Sequence, residues 1–160
     1  MNSSSKYLEQ FNRVKRWYQE FALTDQGRPH DRPSDFYQDQ VYAFFQNCYH
    51  LKDWIKNDGS FGVAADKVEE FISNNEELRL CADICNGTKH LRLVSPRSGQ
   101  GPQFGQQKFK VQVGGPTTTI SVKYAIDTSV GPVDAFELAT KCFQAWENFI
   151  RSNISNEASI

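Results

Sequence analysis

The sequence lacks any apolar run near the roughly 18 to 20 residues that a membrane-spanning helix needs. Its start, MNSSSKYLEQF, also lacks the apolar core of a signal peptide. No charge of one sign dominates, because 18 Lys and Arg against 19 Asp and Glu leave a net charge of −1. This balance excludes overall electrostatic steering to nucleic acid or to an anionic membrane. We therefore expect a cytoplasmic protein that does not associate with membranes.

Short motifs that mark common catalytic sites are missing as well. The patterns G-x-x-x-x-G-K-[ST], G-x-G-x-x-G, H-E-x-x-H and G-x-S-x-G do not occur. A total of 3 histidines excludes a histidine-rich metal centre, and no C-x-x-C pair is present. The cysteines occupy apolar positions of predicted helices, which is typical of reduced core residues. We expect no metal and no cofactor. The cysteines are Cys48, Cys81, Cys85 and Cys142.

What the chain does contain is enough apolar material for one core. Its 160 residues are 39% hydrophobic and 13% aromatic, which predicts a single domain over residues 1–160. Apolar residues recur at intervals of three and four in four long segments and one short one, as in amphipathic helices. The first helix begins near Ser4 or Ser5, and the second is capped by Ser34 or Asp35. Gly131-Pro132 opens the last helix.

The helix predicted from Asn75 contains a contradictory signal. Asn86-Gly87 is a strong turn dipeptide, so the helix stops there or continues through His90. Because Leu91 and Leu93 keep the apolar pattern, we favour continuation.

A hairpin is predicted between this helix and the last one. The segment 95–107, rich in Gly, Pro, Ser and Gln, reads as a loop, and alternation of apolar and polar residues over about 107–126 then predicts two strands. An isolated hairpin is marginal in water, so its apolar face must lie on the helices or on another copy of the chain. We expect a mainly α fold, an antiparallel bundle of four or more helices with this hairpin inserted before the last helix.

Two polar helix edges form the main candidate site. At about 100° per residue, spacings of four, three and four place each set on one side of its helix. If the two helices pack antiparallel, the edges face each other across a groove that could serve acid–base chemistry or hold a metal. Two solvated edges explain the same pattern. The edges are Gln46, His50, Asp53 and Asn57 on the second helix, and Arg79, Asp83, Asn86 and His90 on the later one.

The hairpin's polar face is a second candidate. Lys108, Lys110 and Lys123 could contact the phosphates of RNA. Lysines on a strand also prevent edge-to-edge pairing, which explains them without a nucleic-acid partner.

The order of elements resembles a known group. The segment Tyr49–Trp54, together with Asp83, Asn86, Lys89 and His90, is similar to uncharacterised bacterial helical-bundle proteins related to HEPN domains, the higher-eukaryote and prokaryote nucleotide-binding group. The resemblance covers roughly residues 36–93 and the final helix. It implies a helical bundle and homodimerisation. Catalytic members are RNases with an Arg and a His four to six residues apart, a spacing that this sequence lacks.

These observations lead to two functional hypotheses. The first is a small cytoplasmic, non-catalytic binding or accessory protein, a homodimer whose partner, protein or RNA, engages the groove or the hairpin. The alternative is a hydrolase that acts on RNA or a nucleotide. Its candidate catalytic residues are His50, Asp53, Asp83 and His90, and the candidate ligand-binding residues are Arg79, Asn86 and Lys89.

Overall fold

The computed structural model describes residues 5–90 and 95–157. The helices in these ranges are α1 (Lys6–Gln26), α2 (Ser34–Asn57), α3 (Ala65–Ser73), α4 (Glu76–His90) and α5 (Ala135–Glu157). A 3₁₀ turn, Gly59–Phe61, follows α2, and the strands are β1 (Gln103–Gln112), β2 (Thr119–Thr128) and β3 (Gly131–Asp134). The prediction of a mainly helical protein with a hairpin inserted before the last helix is confirmed.

Side-chain contacts show that neighbouring helices run antiparallel. Between α1 and α2, the Tyr7 N–H donates to Asp58 Oδ2 at 2.9 Å and Gln10 Nε2 donates to the Asn47 carbonyl at 2.9 Å. Residue numbers rise along α1 while those of the contacting residues near and on α2 fall, so the two helices run in opposite directions. Ring contacts show that α1 and α5 are also antiparallel. These ring pairs are Phe11 with Phe143 and Tyr18 with Phe136.

Asp58 supplies the cap that the serines were expected to give to α1. Ser5 occupies the N-cap position without a side-chain hydrogen bond, and Ser4 lies outside the described residues. The Asp58 carboxylate instead accepts from the Tyr7 N–H and from the Ser60 N–H and hydroxyl. Hydrogen bonds from Ser60 and from Tyr7 hold the pKa of Asp58 below its usual value. The start of α1 is therefore tied to the end of α2.

The apolar stripes of the helices meet in one core with an aromatic centre. Phe21 contacts Phe44, Phe45, Tyr124 and Phe136, so it joins α1 to α2, to the sheet and to α5. Such edge-on ring pairs add to the stabilisation from burial alone. The largest fully buried side chains are Trp146, Tyr37, Phe21, Phe44, Phe45, Leu51, Ile55, Ile72, Ile126 and Leu138.

The sheet is antiparallel with the order β1-β2-β3. One face of β2 is buried on the helices through Val122, Tyr124 and Ile126. Within the described residues, β3 pairs only with residues 125–128 of β2. Near the other end of β2, Ile120 exchanges two backbone hydrogen bonds with Arg28, which follows α1. The sheet is thus fastened to the helices through its central strand, and β1 forms one edge.

The last helix starts later than the sequence predicts. Gly131-Pro132 does not open α5 but begins β3, which pairs with residues 125–128 of β2. Proline tolerates an edge strand because its missing N–H is not needed there, and Gly131 takes a φ of 127° that favours glycine. The helix then begins at Ala135, where Asp134 Oδ1 accepts from the Glu137 N–H at 2.8 Å.

The first strand of the hairpin begins at Gln103, earlier than the predicted start near residue 107. A bulge in β1 interrupts the regular alternation of its first residues. Its register shifts between Phe104 and Gln107, so one extra residue is inserted opposite β2. The shift reverses the alternation, which brings Phe104 and Phe109 to the same face although an odd number of positions separates them. The regular pattern that the sequence shows therefore starts only after the bulge.

Asn86-Gly87 does not end α4, which continues to His90. The turn preceding this dipeptide is buried through Ile84 and Cys85, and this packing outweighs the local preference for a turn. Leu91 and Leu93, the basis for predicting continuation, lie outside the described residues.

Candidate functional site

A cavity of about 910 Å³ lies where α2, the end of α4, the loop 95–102 and the start of β1 meet. Helices α2 and α4 are antiparallel here, since Gln46 Nε2 donates to Thr88 Oγ1 at 3.4 Å and His50 Nε2 lies 3.9 Å from Cys85 Sγ. Gly87 lies in the cavity wall on α4. The cavity has the size that a small-molecule ligand requires.

Aromatic and aliphatic side chains form the apolar part of the cavity. The rings of Tyr42 and Phe104 meet edge to face with centroids 4.5 Å apart, and Ile84 lies beside them. Burial raises the pKa of the Tyr42 phenol above its ordinary value. Gln38 Nε2 donates to this hydroxyl at 3.4 Å. The wall therefore offers flat ring surface together with one hydroxyl group.

Polar side chains approach the cavity from three elements. Gln46 on α2 and Gln103 on β1 each offer an amide, which both donates and accepts hydrogen bonds. Lys89 is exposed at the end of α4, and Asp39 is exposed on α2. The cavity thus combines amides with one cation and one carboxylate at its border.

Asp83 holds the loop that closes one side of the cavity. The side chain is 1% exposed, and it accepts from the Arg97 N–H at 2.6 Å, the Ser98 N–H at 2.8 Å and the Ser98 hydroxyl at 2.5 Å. Hydrogen bonds to a carboxylate are stronger than those between neutral groups. These hydrogen bonds position the residues of the loop that line the cavity, which are Pro96, Gly101 and Pro102.

The same loop is fastened to α3 and α4 by the side chains of Arg97 and Gln100. Arg97 Nη2 lies 2.9 Å from Glu69 Oε2 and 3.1 Å from Ser73 Oγ, and Gln100 Nε2 donates to Glu76 Oε1 at 2.7 Å. The segment 95–102, which the sequence predicts only as a connecting loop, is therefore held in a defined position and forms one side of the cavity.

The predicted catalytic residues on α2 and Asp83 have different partners. His50 is exposed and touches Cys85, while Asp53 lies 2.8 Å from Lys52 Nζ and 3.5 Å from Lys56 Nζ. Both lysines also approach Glu69 of α3. Asp53 thus belongs to an ion-pair network at the α2–α3 contact, whereas Asp83 is engaged by the loop. The side chain of His90 lies outside the described residues.

The predicted ligand-binding residues also take different places. Lys89 lines the cavity. Arg79 is not among the lining residues, and its Nη1 donates to the Ser73 carbonyl at 3.2 Å. Asn86 is half-buried on α4. Tyr42, Gln103 and Phe104 were not predicted from the sequence. The ring of Phe104 within a Gly- and Gln-rich loop was the one available signal.

The four cysteines are free and buried, as expected for core residues. Cys142 Sγ donates to the Glu77 carbonyl at 3.3 Å and Cys81 Sγ to the Phe45 carbonyl at 3.5 Å. Burial raises the pKa of Cys142, and it raises the pKa of Cys85 to about 11. In residues 5–90 and 95–157, no group of three or more His, Cys, Asp or Glu could hold a metal ion.

Two of the hairpin lysines, Lys110 and Lys123, line a smaller hollow of about 290 Å³ beside the end of α1, and Lys108 is not among its lining residues. Lys123 Nζ lies 2.5 Å from Asp25 Oδ2. Because Lys123 has a carboxylate partner, this part of the face is not a purely cationic surface.

Comparison with known proteins adds no relative. The chain matches no family model, and no curated protein or solved structure is significantly similar to it. Among the described helices, none has a stretch long and apolar enough to cross a membrane. Fold and site together define a mainly helical protein with an antiparallel three-stranded sheet and an open cavity between α2 and α4.

Proposed function

We propose that this protein is a small, non-catalytic binding protein whose ligand occupies the cavity between α2 and α4. The observation that carries the proposal is the cavity itself, about 910 Å³ in volume and bordered by rings, amides and a lysine. Pockets of this size with an apolar wall and a few convergent polar groups are typical of small-molecule sites. We place the protein in the cytoplasm.

The lining favours a planar heteroaromatic ligand that carries an anionic group. The Tyr42 and Phe104 rings offer surface for a flat ring, and the amides of Gln46 and Gln103 match the mixed donors and acceptors of a nucleobase edge. Lys89 at the border suits a phosphate or carboxylate. Nucleotides are the first class to test, which agrees with the resemblance to HEPN-like bundles.

Isothermal titration with purine and pyrimidine nucleoside monophosphates tests this proposal, with the matching nucleosides alongside. Phe104→Leu should weaken the binding of nucleotides and nucleosides alike, by about fivefold, because it removes ring contact worth on the order of 1 kcal/mol. Lys89→Met should weaken nucleotides alone. Matched controls are Phe36→Leu and Lys141→Met, which alter an exposed ring and an exposed lysine away from the cavity.

The result that overturns the proposal is an absence of binding for every nucleotide and nucleoside. Chromatography of the incubated mixture separates binding from turnover. Time-dependent loss of the nucleotide that stops in His50→Ala or Asp53→Asn would support the alternative hydrolase instead. Unchanged nucleotide in the presence of saturable binding supports a non-catalytic role.

A further inference from the structure

Three large apolar side chains are exposed at alternate positions along the outer half of β1 and just past its end. Phe109 is 52% exposed, Val111 59% and Val113 73%. Phe109 and Val111 share the sheet face that β2 buries on the helices, because Phe109 pairs with Val122 and Val111 with Ile120. Val113 follows two positions after Val111, past the end of the strand. The face therefore continues past the helices, and its outer part is left uncovered. Contiguous exposed apolar side chains of this kind mark interaction surfaces.

Backbone groups on the same strand are also free to pair. Strand β1 is at the edge of the sheet, with β2 on its other side, so among the described residues its outer N–H and C=O groups have no neighbouring strand. Natural edge strands are normally short, covered, interrupted or charged. The charges of this strand, Lys108 and Lys110, lie on the face opposite to the apolar row, so they disfavour those pairings that set lysine against lysine. This edge is ten residues long and carries its bulge at the inner end, between Phe104 and Gln107, which leaves the outer segment regular.

We propose that β1 pairs with β1 of a second copy of this chain, antiparallel and about a twofold axis at Val111. The charges of the strand select the copy and the register. Axes at positions 108, 109 or 110 would place lysine directly opposite lysine, using Lys108 and Lys110 in turn. Like charges directly opposite are destabilising. Within this sheet Lys108 lies opposite Lys123, but Lys123 is neutralised by Asp25, and no such carboxylate is available between two copies of β1. Among the four possible axes at positions 108 to 111, only the one at Val111 places no lysine opposite another lysine.

In that register the strand is complementary to itself. Phe109 lies opposite the partner's Val113, Val111 opposite the partner's Val111, and Lys110 opposite the partner's Gln112. Six apolar side chains then cover one another on one face, and the lysines remain on the other face in water. The two sheets join into one of six strands, an isologous contact that closes on itself. The interface is small, so we expect micromolar association.

Sedimentation equilibrium at tens to hundreds of micromolar, with a disulfide trap, tests the pairing. Wild type should associate as a dimer, and Val111→Lys should shift it to monomer by setting two charges against each other. Val130→Lys is the matched control, because Val130 is 78% exposed in the turn before β3. Circular dichroism shows that each variant is folded.

The trap uses Val111→Cys in a buffer of oxidised glutathione. The two introduced thiols, one from each copy, lose two protons and two electrons to form one disulfide, and one glutathione disulfide becomes two glutathione molecules. Antiparallel partners lie about 4.5 to 5.5 Å apart at Cα, within disulfide range. In Phe109→Cys the two thiols lie four positions apart along the strand, about 14 Å, and should not link. The four native cysteines are buried and give little background.

A wild-type chain that stays monomeric at hundreds of micromolar overturns the pairing, even if the strand binds some other protein. So does a dimer that survives Val111→Lys. Nucleotide binding by the monomeric variant distinguishes this proposal from the proposed function, because the strand's outer half does not line the cavity.

Discussion

Two buried carboxylates in this chain have opposite surroundings. Asp83 is surrounded by donors from Arg97 and Ser98, whereas Asp25, 5% exposed, has Lys123 on one oxygen and no hydrogen-bond partner for Oδ1 among the described residues. Burial raises the pKa of Asp25, opposed by Lys123 and reinforced by Asp134. A side chain of this kind costs stability when it is ionised.

Asp25→Asn should therefore stabilise the protein at neutral pH, by up to about 1 kcal/mol. Since the pKa of Asp25 is raised on folding, the folded chain binds the proton more tightly than the unfolded chain. Stability is then lost as pH rises from the unfolded pKa through the folded one. Urea unfolding from pH 3 to pH 7 should show the gain growing with pH.

Asp39→Asn is the control for this measurement, because Asp39 is exposed. A gain of equal size in both variants would contradict the explanation. So would an Asp25→Asn variant that is less stable at pH 7, which would show that the ion pair with Lys123 outweighs the burial of the carboxylate.

At the scale of elements, the β1 bulge decides where the hairpin's apolar side chains go. Gly105 lies in the bulge, and a Cβ built there would be 2.5 Å from Cγ of Asp127 on β2. The carboxylate occupies the space that a side chain would need. Glycine at this position therefore lets the Asp127 carboxylate approach the backbone closely, and a side chain here would require the carboxylate to rotate away.

Gly105→Ala should destabilise the protein by about 1 kcal/mol or less, because the exposed Asp127 carboxylate has to rotate out of its position. The double variant Gly105→Ala with Asp127→Ala should recover most of that loss, which a double-mutant cycle measures by urea unfolding. Gly115→Ala in the hairpin turn is the control, since its nearest neighbour is 3.7 Å away. Strict additivity of the two changes would contradict the proposed contact.

At the scale of the whole molecule, the cavity exists because four elements meet that are distant in the sequence. Helices α2 and α4 supply two walls, β1 supplies Phe104, and the loop from Pro96 to Pro102 is held against them by Asp83. One residue of a helix thus positions a wall that begins more than ten residues later. Any ligand in the cavity depends on this anchor.

Asp83→Asn should loosen the loop and destabilise the protein by about 2 kcal/mol, because the new amide group faces donors and leaves one buried N–H unpaired. Hydrogen exchange should show the Arg97 and Ser98 amides losing protection first. Asp53→Asn is the control, a half-exposed carboxylate paired with lysines on α2. Unchanged protection at residues 97 and 98 would contradict the anchoring role. If the proposed cavity function holds, nucleotide affinity falls along with protection.

The sequence by itself determined the helices and the hairpin, because their signals are local. Periodicities of 3.6 and 2 are written into neighbouring residues, and burial of the matching faces reinforces them. A prediction from the sequence is wrong where the same local pattern is compatible with two kinds of secondary structure. Gly131-Pro132 suits the first turn of a helix and also an edge strand, and only pairing with β2 selects the strand.

Only the tertiary structure decided the site. His50, Asp53 and Asp83 share a helical spacing, yet each side chain is oriented by a different neighbour: Cys85, two lysines and the loop. Spacing along a helix fixes an angle but not what packs there. Likewise, Phe104 lines the cavity because a bulge reverses the strand's alternation, and the apolar row from Phe109 to Val113 is exposed because the helices end short of it. Distances between elements decide both, and no local pattern contains them.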